Sequence, residues 1–193
     1  MLAVVGVGIA RGHLTERGKK LIEEADVVYG SKKAIDLVRD VIKGEVVVLR
    51  RFDEEVYREI EKAGREKNVV VLSTGDPMVS GLGLRLRADV IESGISSVLV
   101  ALARLGKDLC DVVVVDCHAS DFEECLEELE RVLEIRPALV LVTRGFDVSE
   151  LRRRLKVRVI VLENLCGDEK VGEANCVKSN DAILYVFRES GRI

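Results

Sequence analysis

The chain has 193 residues, of which 48% are hydrophobic and 33% charged, and its formal net charge at pH 7 is −4. This balance is typical of a folded globular protein and excludes a disordered chain. The negative net charge argues against a general nucleic-acid binder, since such proteins are usually basic. No apolar run approaches the roughly 20 residues that span a bilayer, and the N-terminal segment lacks a basic leader. We therefore expect a cytoplasmic protein with no membrane contact.

The five cysteines form an odd set with no CxxC pair. Cys125 falls on the apolar stripe of a predicted helix, where a free cysteine behaves as a small hydrophobic residue. We therefore expect neither a zinc site nor a disulfide framework, and reduced thiols suit the cytosol.

Five apolar runs in the first half predict β-strands at 2–7, 26–30, 45–49, 68–72 and 89–93. The runs are continuous rather than alternating, which is typical of strands buried on both faces of a parallel sheet. Helices are predicted between them, because Thr15, Ser31 and Asp53 each precede an apolar stripe and can cap a helix N-terminus. The first half therefore alternates strand and helix.

The second half predicts further strands at 112–116, 138–142, 157–162, 173–177 and 182–187. After the first of these, Asp121 and Glu124 have the spacing of a capping box at the start of an amphipathic helix. Only short links separate the last three runs, which favours antiparallel or mixed pairing. The predicted fold class is α/β with two α/β domains: 1–107 with a mainly parallel five-stranded sheet, and 108–193 with a mixed sheet.

Glycines and small polar residues are concentrated directly after the predicted strands. In open α/β sheets, ligands bind outside the carboxyl ends of the strands, so these segments form the candidate site. They are GVGIARGHLT, STGDPMVSGLG and SGISS in the first half, and DCHAS, TRGFD and ENLCGDE in the second. Small residues at such positions let the backbone approach a ligand closely.

The common nucleotide-binding and hydrolase motifs do not fit these segments. A dinucleotide-binding fingerprint would start at Gly6 and Gly8, but Arg11 occupies the position of its third glycine. A tight strand-to-helix turn explains the two glycines equally well. The sequence contains no P-loop and no G-x-S-x-G elbow. Its two histidines, His13 and His118, each follow a strand, where structural and functional roles both stay open.

The dipeptide Asp76–Pro77 ends the fourth predicted strand. A residue before proline favours an extended backbone, so we expect the Asp76 carboxylate to be displayed at the strand end. A simple turn explains the same sequence. Similarly, helix capping alone would explain the presence of a serine at position 96 or 97.

The order and spacing of these segments resemble the tetrapyrrole methylase family over almost the whole chain. The matching segments are VGVG (5–8), GSKKA (30–34), GDPMVSGLG (75–83), SGISSVLVALARLG (93–106), DCHAS (116–120) and ENLCGDEK (163–170). Within the family, the chain is most similar to the members that methylate carbon 5 of a precorrin ring in cobalamin biosynthesis. The combination of segments is specific, although each alone is weak.

The resemblance implies a homodimeric S-adenosylmethionine-dependent methyltransferase that holds the methyl donor in a cleft between its two domains. It assigns donor contacts to Gly75, Asp76, Val79, Ser96, Ser97, Val142 and Thr143. The macrocycle carries many carboxylates, so cationic groups are expected to orient it. The candidates are Arg11, Lys32, His118 and Arg144. The reaction requires neither a metal nor a covalent nucleophile of the protein.

The sequence departs from the family pattern in three places, one of which is a shortening of the region between Gly83 and Asp89. The segment GVGIARGHLT is one residue shorter than the usual GxGPGxPxxLT and lacks its proline, and Ser93 replaces the proline of PGISS. Three alternatives therefore stay open: a family activity on uroporphyrinogen, one on the diphthamide residue, or a non-catalytic nucleotide- or S-adenosyl-ligand-binding module. A separate partner that methylates carbon 15 and decarboxylates the ring also stays open.

Overall fold

The structure is a computed structural model that describes residues 1–118 and 120–188. The chain divides into two compact units, Met1–Ser97 and Val98–Ile193. The domain bounds expected from the sequence, 1–107 and 108–193, stay a prediction. Among the described residues, no helix is both long and apolar enough to cross a membrane.

The first unit contains a five-stranded, wholly parallel sheet, as the continuous apolar runs predict. Its strands are β1 (Leu2–Gly6), β2 (Val27–Gly30), β3 (Glu45–Val48), β4 (Val69–Ser73) and β5 (Val90–Glu92). The strand order is β3-β2-β4-β1-β5. Every residue of β1 and β4 is buried, because these central strands are covered on both faces. The parallel order brings the carboxyl ends of all five strands to one edge.

The helices of the first unit begin at the predicted capping residues. They are α1 (Glu16–Glu23), α2 (Lys32–Leu37) and α3 (Glu54–Glu66), and a short 3₁₀ turn follows at Leu82–Leu84. The side chains of Thr15, Ser31 and Asp53 each accept a hydrogen bond from a first-turn backbone N–H. Helix α4 (Ser97–Leu105) begins at the division between the two units.

The second unit contains a five-stranded mixed sheet, as predicted. Its strands are β6 (Val113–Asp116), β7 (Ala138–Val142), β8 (Arg158–Glu163), β9 (Lys170–Gly172) and β10 (Ala182–Phe187). The order is β6-β7-β10-β8-β9, in which only β6 and β7 pair in parallel. Its helices are α5 (Phe122–Val132), which starts with the predicted capping box, and α6 (Val148–Leu155). A 3₁₀ turn lies at Leu109–Asp111.

The strand predicted at 173–177 is wrong. The sheet strand in this region is β9, which ends at Gly172. The following segment pairs with the loop between β7 and α6: Val177 accepts a hydrogen bond from Gly145 N and donates one to Phe146 O. The apolar residues of the segment therefore cover the start of α6 instead of adding a strand.

The expectation that Cys125 is a free thiol is also wrong, because it forms a disulfide with Cys117. Cys125 lies on the buried stripe of α5, as predicted, and the turn after β6 brings Cys117 to a Cα–Cα distance of 5.7 Å. The bond attaches the end of β6 to the first turn of α5. Three further cysteines, Cys110, Cys166 and Cys176, are free.

Candidate active site

Three loops of the first unit meet through glycines at the carboxyl edge of the parallel sheet. Gly6 ends β1, Gly75 follows β4 and Gly94 follows β5. A Cβ added to Gly6 would lie 2.5 Å from the amide nitrogen of Gly94 and 2.8 Å from the carbonyl oxygen of Gly75. A Cβ on Gly94 would collide with that same carbonyl oxygen. We call these three residues the glycine junction, and at Gly6 and Gly94 only glycine permits the backbone spacing.

A second contact joins the β1 and β4 loops. Gly8 N donates to Gly75 O at 3.1 Å, and Gly75 N donates to Gly8 O at 2.8 Å. Both residues have φ of +73°, a conformation that favours glycine. The dinucleotide-like Gly6-x-Gly8 therefore holds two strand-end loops together.

The Asp76 carboxylate connects the β4 loop to the β5 loop. Its Oδ1 accepts a hydrogen bond from Met78 N at 2.7 Å, and its Oδ2 accepts one from Gly94 N at 3.1 Å. Asp76 lies at the strand end, as the sequence predicts. Because each oxygen accepts a backbone N–H, this geometry makes Asp76 a residue that positions the two loops.

The rest of the GDPMVSGLG segment folds around the carbonyl of Pro77. Gly83 N donates to Pro77 O at 2.9 Å, and a Cβ on Gly81 would lie 2.7 Å from the same oxygen. Val79 N donates to Asp76 O at 3.1 Å, which closes the first turn of the segment. Val79, a predicted donor contact, is half-buried in this turn.

Ser96 and Ser97 lie beside the glycine junction. Ser96 is only 3% exposed, and its Cα lies 4.0 Å from the position of a Cβ on Gly75. Ser97 is half-buried and is the first residue of α4. The structure therefore brings four of the predicted donor residues, Gly75 and Asp76 with these two serines, to one edge of the first unit.

Two of the predicted substrate-binding cations, Arg11 and Lys32, converge on Asp36 in α2. Arg11 Nη2 donates to the backbone oxygen of Asp36 at 3.0 Å, and Lys32 Nζ lies 3.4 Å from its carboxylate. The Lys32 side chain is 82% exposed, so this ion pair is well solvated and contributes little to stability. Both cations stay accessible at the surface of the first unit.

The predicted site residues at the end of β7 belong to the second unit. Val142 is wholly buried at the end of β7, where it pairs with Ala182 of β10. Thr143 is exposed, and its carbonyl accepts a hydrogen bond from Phe146 N at 3.3 Å. Arg144 Nε donates to Lys178 O at 2.9 Å, which attaches this exposed arginine to the segment before β10.

His118 lies in the turn after β6. Its Nδ1 is 3.0 Å from Asp116 Oδ1, and its backbone N–H donates to the same oxygen at 3.1 Å. The disulfide at Cys117 immediately precedes it. Ala119, in the same DCHAS segment, lies outside the described residues.

Carboxylates organise the ENLCGDE segment of the second unit. Glu163, only 5% exposed, accepts hydrogen bonds at its Oε1 from Lys178 N at 2.6 Å and Ser179 N at 2.8 Å. Ser179 Oγ donates to Asn164 Oδ1 at 2.6 Å. The last residue of β8 and the start of this segment are thus attached to the chain before β10.

The end of the same segment is attached to α4 by an ion pair that the sequence analysis missed. Arg104 donates from Nε to Glu169 Oε2 at 2.9 Å and from Nη2 to Oε1 at 2.7 Å, a bidentate contact. Hydrogen bonding from Arg104 and then from the backbone of Cys166 lowers the pKa of Glu169 to about 2. Both residues belong to the segments quoted above, but nothing in the local pattern shows that they meet.

Comparison with known proteins decides the family. The sequence matches the family described as Tetrapyrrole (Corrin/Porphyrin) Methylases over residues 1–175. The chain belongs to this family. The segments that carry the match include those that build the glycine junction, so the resemblance seen in the sequence is confirmed.

Three tetrapyrrole methylases illustrate the similarity. The crystal structure of a cobalamin-biosynthesis precorrin-6Y methylase from Archaeoglobus fulgidus is 43% identical, has a TM-score of 0.83, and is aligned over 98% of this chain and 99% of that one. The cobalt-precorrin-7 C(5)-methyltransferase of Salmonella typhimurium is 34% identical over 86% of this chain and 85% of its own length. A probable cobalt-precorrin-7 C(5)-methyltransferase of Methanocaldococcus jannaschii is 32% identical over 63% of this chain.

The chain spans only part of some relatives. It covers 62% of the length of the Methanocaldococcus protein. It covers 40% of a Sinorhizobium protein named precorrin-6Y C(5,15)-methyltransferase (decarboxylating), with 31% identity over 169 residues.

Proposed function

We propose that the protein is an S-adenosylmethionine-dependent C-methyltransferase that acts on carbon 5 of a cobalt-precorrin or precorrin macrocycle in cobalamin biosynthesis. The observation that carries this proposal is the 43% identity to the Archaeoglobus precorrin-6Y methylase over 98% of the chain. The Salmonella and Methanocaldococcus relatives are both named for methylation of carbon 5. Agreement among three proteins of similar name favours this substrate class over the other activities of the family.

The glycine junction is the proposed donor site. The N–H groups of Gly75 and Gly94 are bonded within the protein, so the donor is proposed to bind through other backbone groups of the loops around the junction, without large side chains. Gly75, Asp76 and Ser96 meet there within the first unit, which supports the donor assignment made from the sequence. Val79, Ser97, Val142 and Thr143 are proposed as further contacts with the donor.

In the proposed reaction, the main role of the protein is to align the methyl donor with the ring carbon. The sulfonium methyl group of the donor is already activated, so the protein has to hold it against an electron-rich ring carbon. Positioning of this kind contributes roughly 7–11 kcal/mol to lowering a barrier in favourable cases. The fixed spacing of Gly6, Gly75 and Gly94 supports this role, because a rigid backbone positions a ligand more accurately than a mobile side chain.

Basic side chains are proposed to bind the carboxylates of the macrocycle. Arg11 and Lys32 are exposed and both contact Asp36 in the first unit, and Arg144 and His118 are exposed in the second. Guanidinium groups and carboxylates form strong charge-assisted hydrogen bonds. The ring carboxylates would compete with the carbonyl of Asp36 for Arg11.

The carbon-15 chemistry is proposed to belong to a separate protein. The Sinorhizobium relative is named for methylation at carbons 5 and 15 with decarboxylation, and this chain matches only 40% of its length. The remaining part of that protein is large enough to hold a second activity. We also propose a homodimer in the cytoplasm, which sedimentation equilibrium of the purified protein and fractionation of cells would test.

The direct test is a turnover assay with S-adenosylmethionine carrying a ¹³C-labelled methyl group and purified cobalt-precorrin-7 or precorrin-6Y. We expect a new methyl resonance at carbon 5 in the product and release of S-adenosylhomocysteine. The control reaction lacks the macrocycle and is expected to yield neither.

Two other outcomes would contradict the proposal in different ways. A methyl group at another carbon would reject the carbon-5 assignment and keep the methyltransferase. Donor binding without transfer to either macrocycle would favour a binding module or another family activity.

A further inference from the structure

The loop between β1 and α1 contains His13, to which the proposed donor and substrate contacts give no role. Its ring atom Nδ1 is enclosed and has no hydrogen-bond partner, and no other side-chain nitrogen or oxygen of the described residues shares both properties. Buried polar atoms are nearly always partnered, so an exception in a native fold requires an explanation.

His13 packs directly on the backbone of the proposed donor site. Its Cβ occupies the space that a side chain on Gly8 would need, and its Cγ lies 3.1 Å from that position. Gly8 forms the two-hydrogen-bond bridge with Gly75, the residue before Asp76. The imidazole therefore lies against the carboxyl edge of the parallel sheet.

The position of His13 is fixed from both sides along the chain. Its backbone N–H donates to Ala10 O at 3.2 Å. Two residues later, Thr15 caps α1 through Gly18 N and donates its hydroxyl to Glu92 Oε1 at 2.9 Å, which attaches the loop to β5. A ring held in this way does not need to be ordered when a ligand binds, which lowers the entropic cost of binding.

The enclosure of Nδ1 determines which ring nitrogen can donate. A neutral imidazole carries its proton on one nitrogen and a lone pair on the other. A proton on Nδ1 would leave a buried N–H without an acceptor, which is rare in folded proteins. A neutral ring with its proton on Nε2 avoids this cost, and Nε2 is then the nitrogen left to meet a ligand.

We propose that His13 is a substrate-binding residue that donates a hydrogen bond from Nε2–H to a side-chain carboxylate of the macrocycle. The identity of the macrocycle rests on the proposed function. An ionised carboxylate is an acceptor only, and it matches a single fixed N–H donor. In the same loop, Arg11 already binds the backbone oxygen of Asp36, so His13 supplies a donor that is committed to no protein acceptor among the described residues.

Two substitutions distinguish the roles of the two ring nitrogens. His13→Gln places an amide N–H near the position of Nε2, whereas His13→Asn places one near the position of Nδ1. We expect the asparagine variant to weaken carboxylate binding roughly tenfold or more, the usual effect of losing a hydrogen bond to a charged group. The glutamine variant is expected to stay within about threefold of the wild type, because it restores the donor.

The experiment titrates wild type and both variants with cobyrinic acid, a corrin with free side-chain carboxylates, and separately with S-adenosylmethionine. The ¹⁵N chemical shifts of the imidazoles report the tautomer of the wild type. The chain contains only two histidines, so the signals lost in His13→Gln assign the ring. Expected results are a protonated Nε2, a shift of its N–H on addition of cobyrinic acid, weaker corrin binding in the asparagine variant alone, and unchanged donor affinity in all three proteins.

Equal corrin affinity in all three proteins, no binding of cobyrinic acid to the wild type, or a proton on Nδ1 would overturn the proposal. A loss of donor affinity in the asparagine variant would also overturn it, since His13 would then serve the donor. Failure of the proposed function looks different, because it is the absence of ring methylation by the wild type in the turnover assay. The binding and tautomer results stand independently of that assay.

Discussion

The strand ends of the two units are held together by different means. In the first unit, backbone groups of Gly6, Gly75 and Gly94 are in direct contact, and Asp76 adds two hydrogen bonds to backbone N–H groups. In the second unit, side-chain charges hold the loops, chiefly Glu163 and the ion pair of Glu169. The sheet topology accounts for the difference: parallel strands end at one edge, whereas the antiparallel strands of a mixed sheet end at both.

Because their loops are held by different means, we expect the two units to respond differently to substitution. A backbone junction tolerates no added atom, because neither neighbour can move without shifting a strand. An exposed ion pair is adjustable, since solvent replaces much of what is lost. Substitutions in the first unit are therefore expected to have the larger effects on ligand binding.

The largest effect is expected for Gly94→Ala. The added methyl group would collide with Gly75 O, so the β4 and β5 loops must separate. We expect donor binding to be lost within the measurable range and stability to fall by about 1–3 kcal/mol, the usual cost of overpacking. Calorimetric titration with S-adenosylmethionine and chemical denaturation measure the two quantities.

The matched control for that variant is Gly167→Ala in the second unit. Its nearest neighbour to an added Cβ is Asn164 O at 3.4 Å, an ordinary contact distance. Donor affinity is expected to be unchanged there. Equal donor affinity in the two alanine variants would refute the glycine junction as the donor site.

The second largest effect on donor binding is expected for Asp76→Ala, which removes the carboxylate that joins the β4 and β5 loops. Losing both charge-assisted hydrogen bonds is expected to lower the free energy of unfolding by about 3 kcal/mol and to weaken donor binding at least tenfold. Asp76→Asn retains one acceptor oxygen and should be intermediate in both measurements. If donor affinity is the same in wild type and Asp76→Ala, the loops do not need this link.

The disulfide of the second unit is expected to contribute less. Cys117 and Cys125 are eight positions apart, and closing so short a loop stabilises a fold by about 2 kcal/mol. We expect the double variant Cys117→Ala, Cys125→Ala to lose about this much in urea denaturation without a change in donor affinity. A stability equal to that of the oxidised wild type would mean that the disulfide does not stabilise the fold.

The smallest effect is expected for the ion pair of Arg104 and Glu169. The pKa of Glu169 is lowered to about 2, so its charged form is favoured by folding. Its contribution is therefore present above the ordinary pKa of 4.5 and is lost as the pH falls towards 2.

The variant Glu169→Gln tests this expected dependence of stability on pH. The unfolding free energies of wild type and variant should differ at neutral pH and converge as the pH falls from 4.5 to about 2. Curves that stay parallel over that range would show that the pair is not formed.

Local patterns in the sequence were enough to predict the parallel sheet, four strands of the mixed sheet, and the starts of α1, α2, α3 and α5. Short, valine-rich apolar runs such as 69–72 favour buried strands, and Thr15, Ser31 and Asp53 cap helices through contacts within one turn. The site segments at the strand ends followed from the same reasoning, since a parallel sheet collects its carboxyl ends at one edge.

Contacts between distant segments were not predictable in this way. The run 173–177 has the composition of a strand, but the start of α6 binds it. Similarly, the bond from Asp76 to Gly94 spans 18 positions, and the pairing of Arg104 with Glu169 spans 65. These contacts depend on where the fold brings two loops, which no periodicity or capping signal records.

The most direct test of the central claim is a crystal structure of the protein with S-adenosylhomocysteine. We expect the ligand to bind at the carboxyl edge of the parallel sheet, with hydrogen bonds to backbone groups of the loops that meet at the glycine junction and contact with Ser96. Binding at another place, with the glycine junction free of ligand, would contradict it.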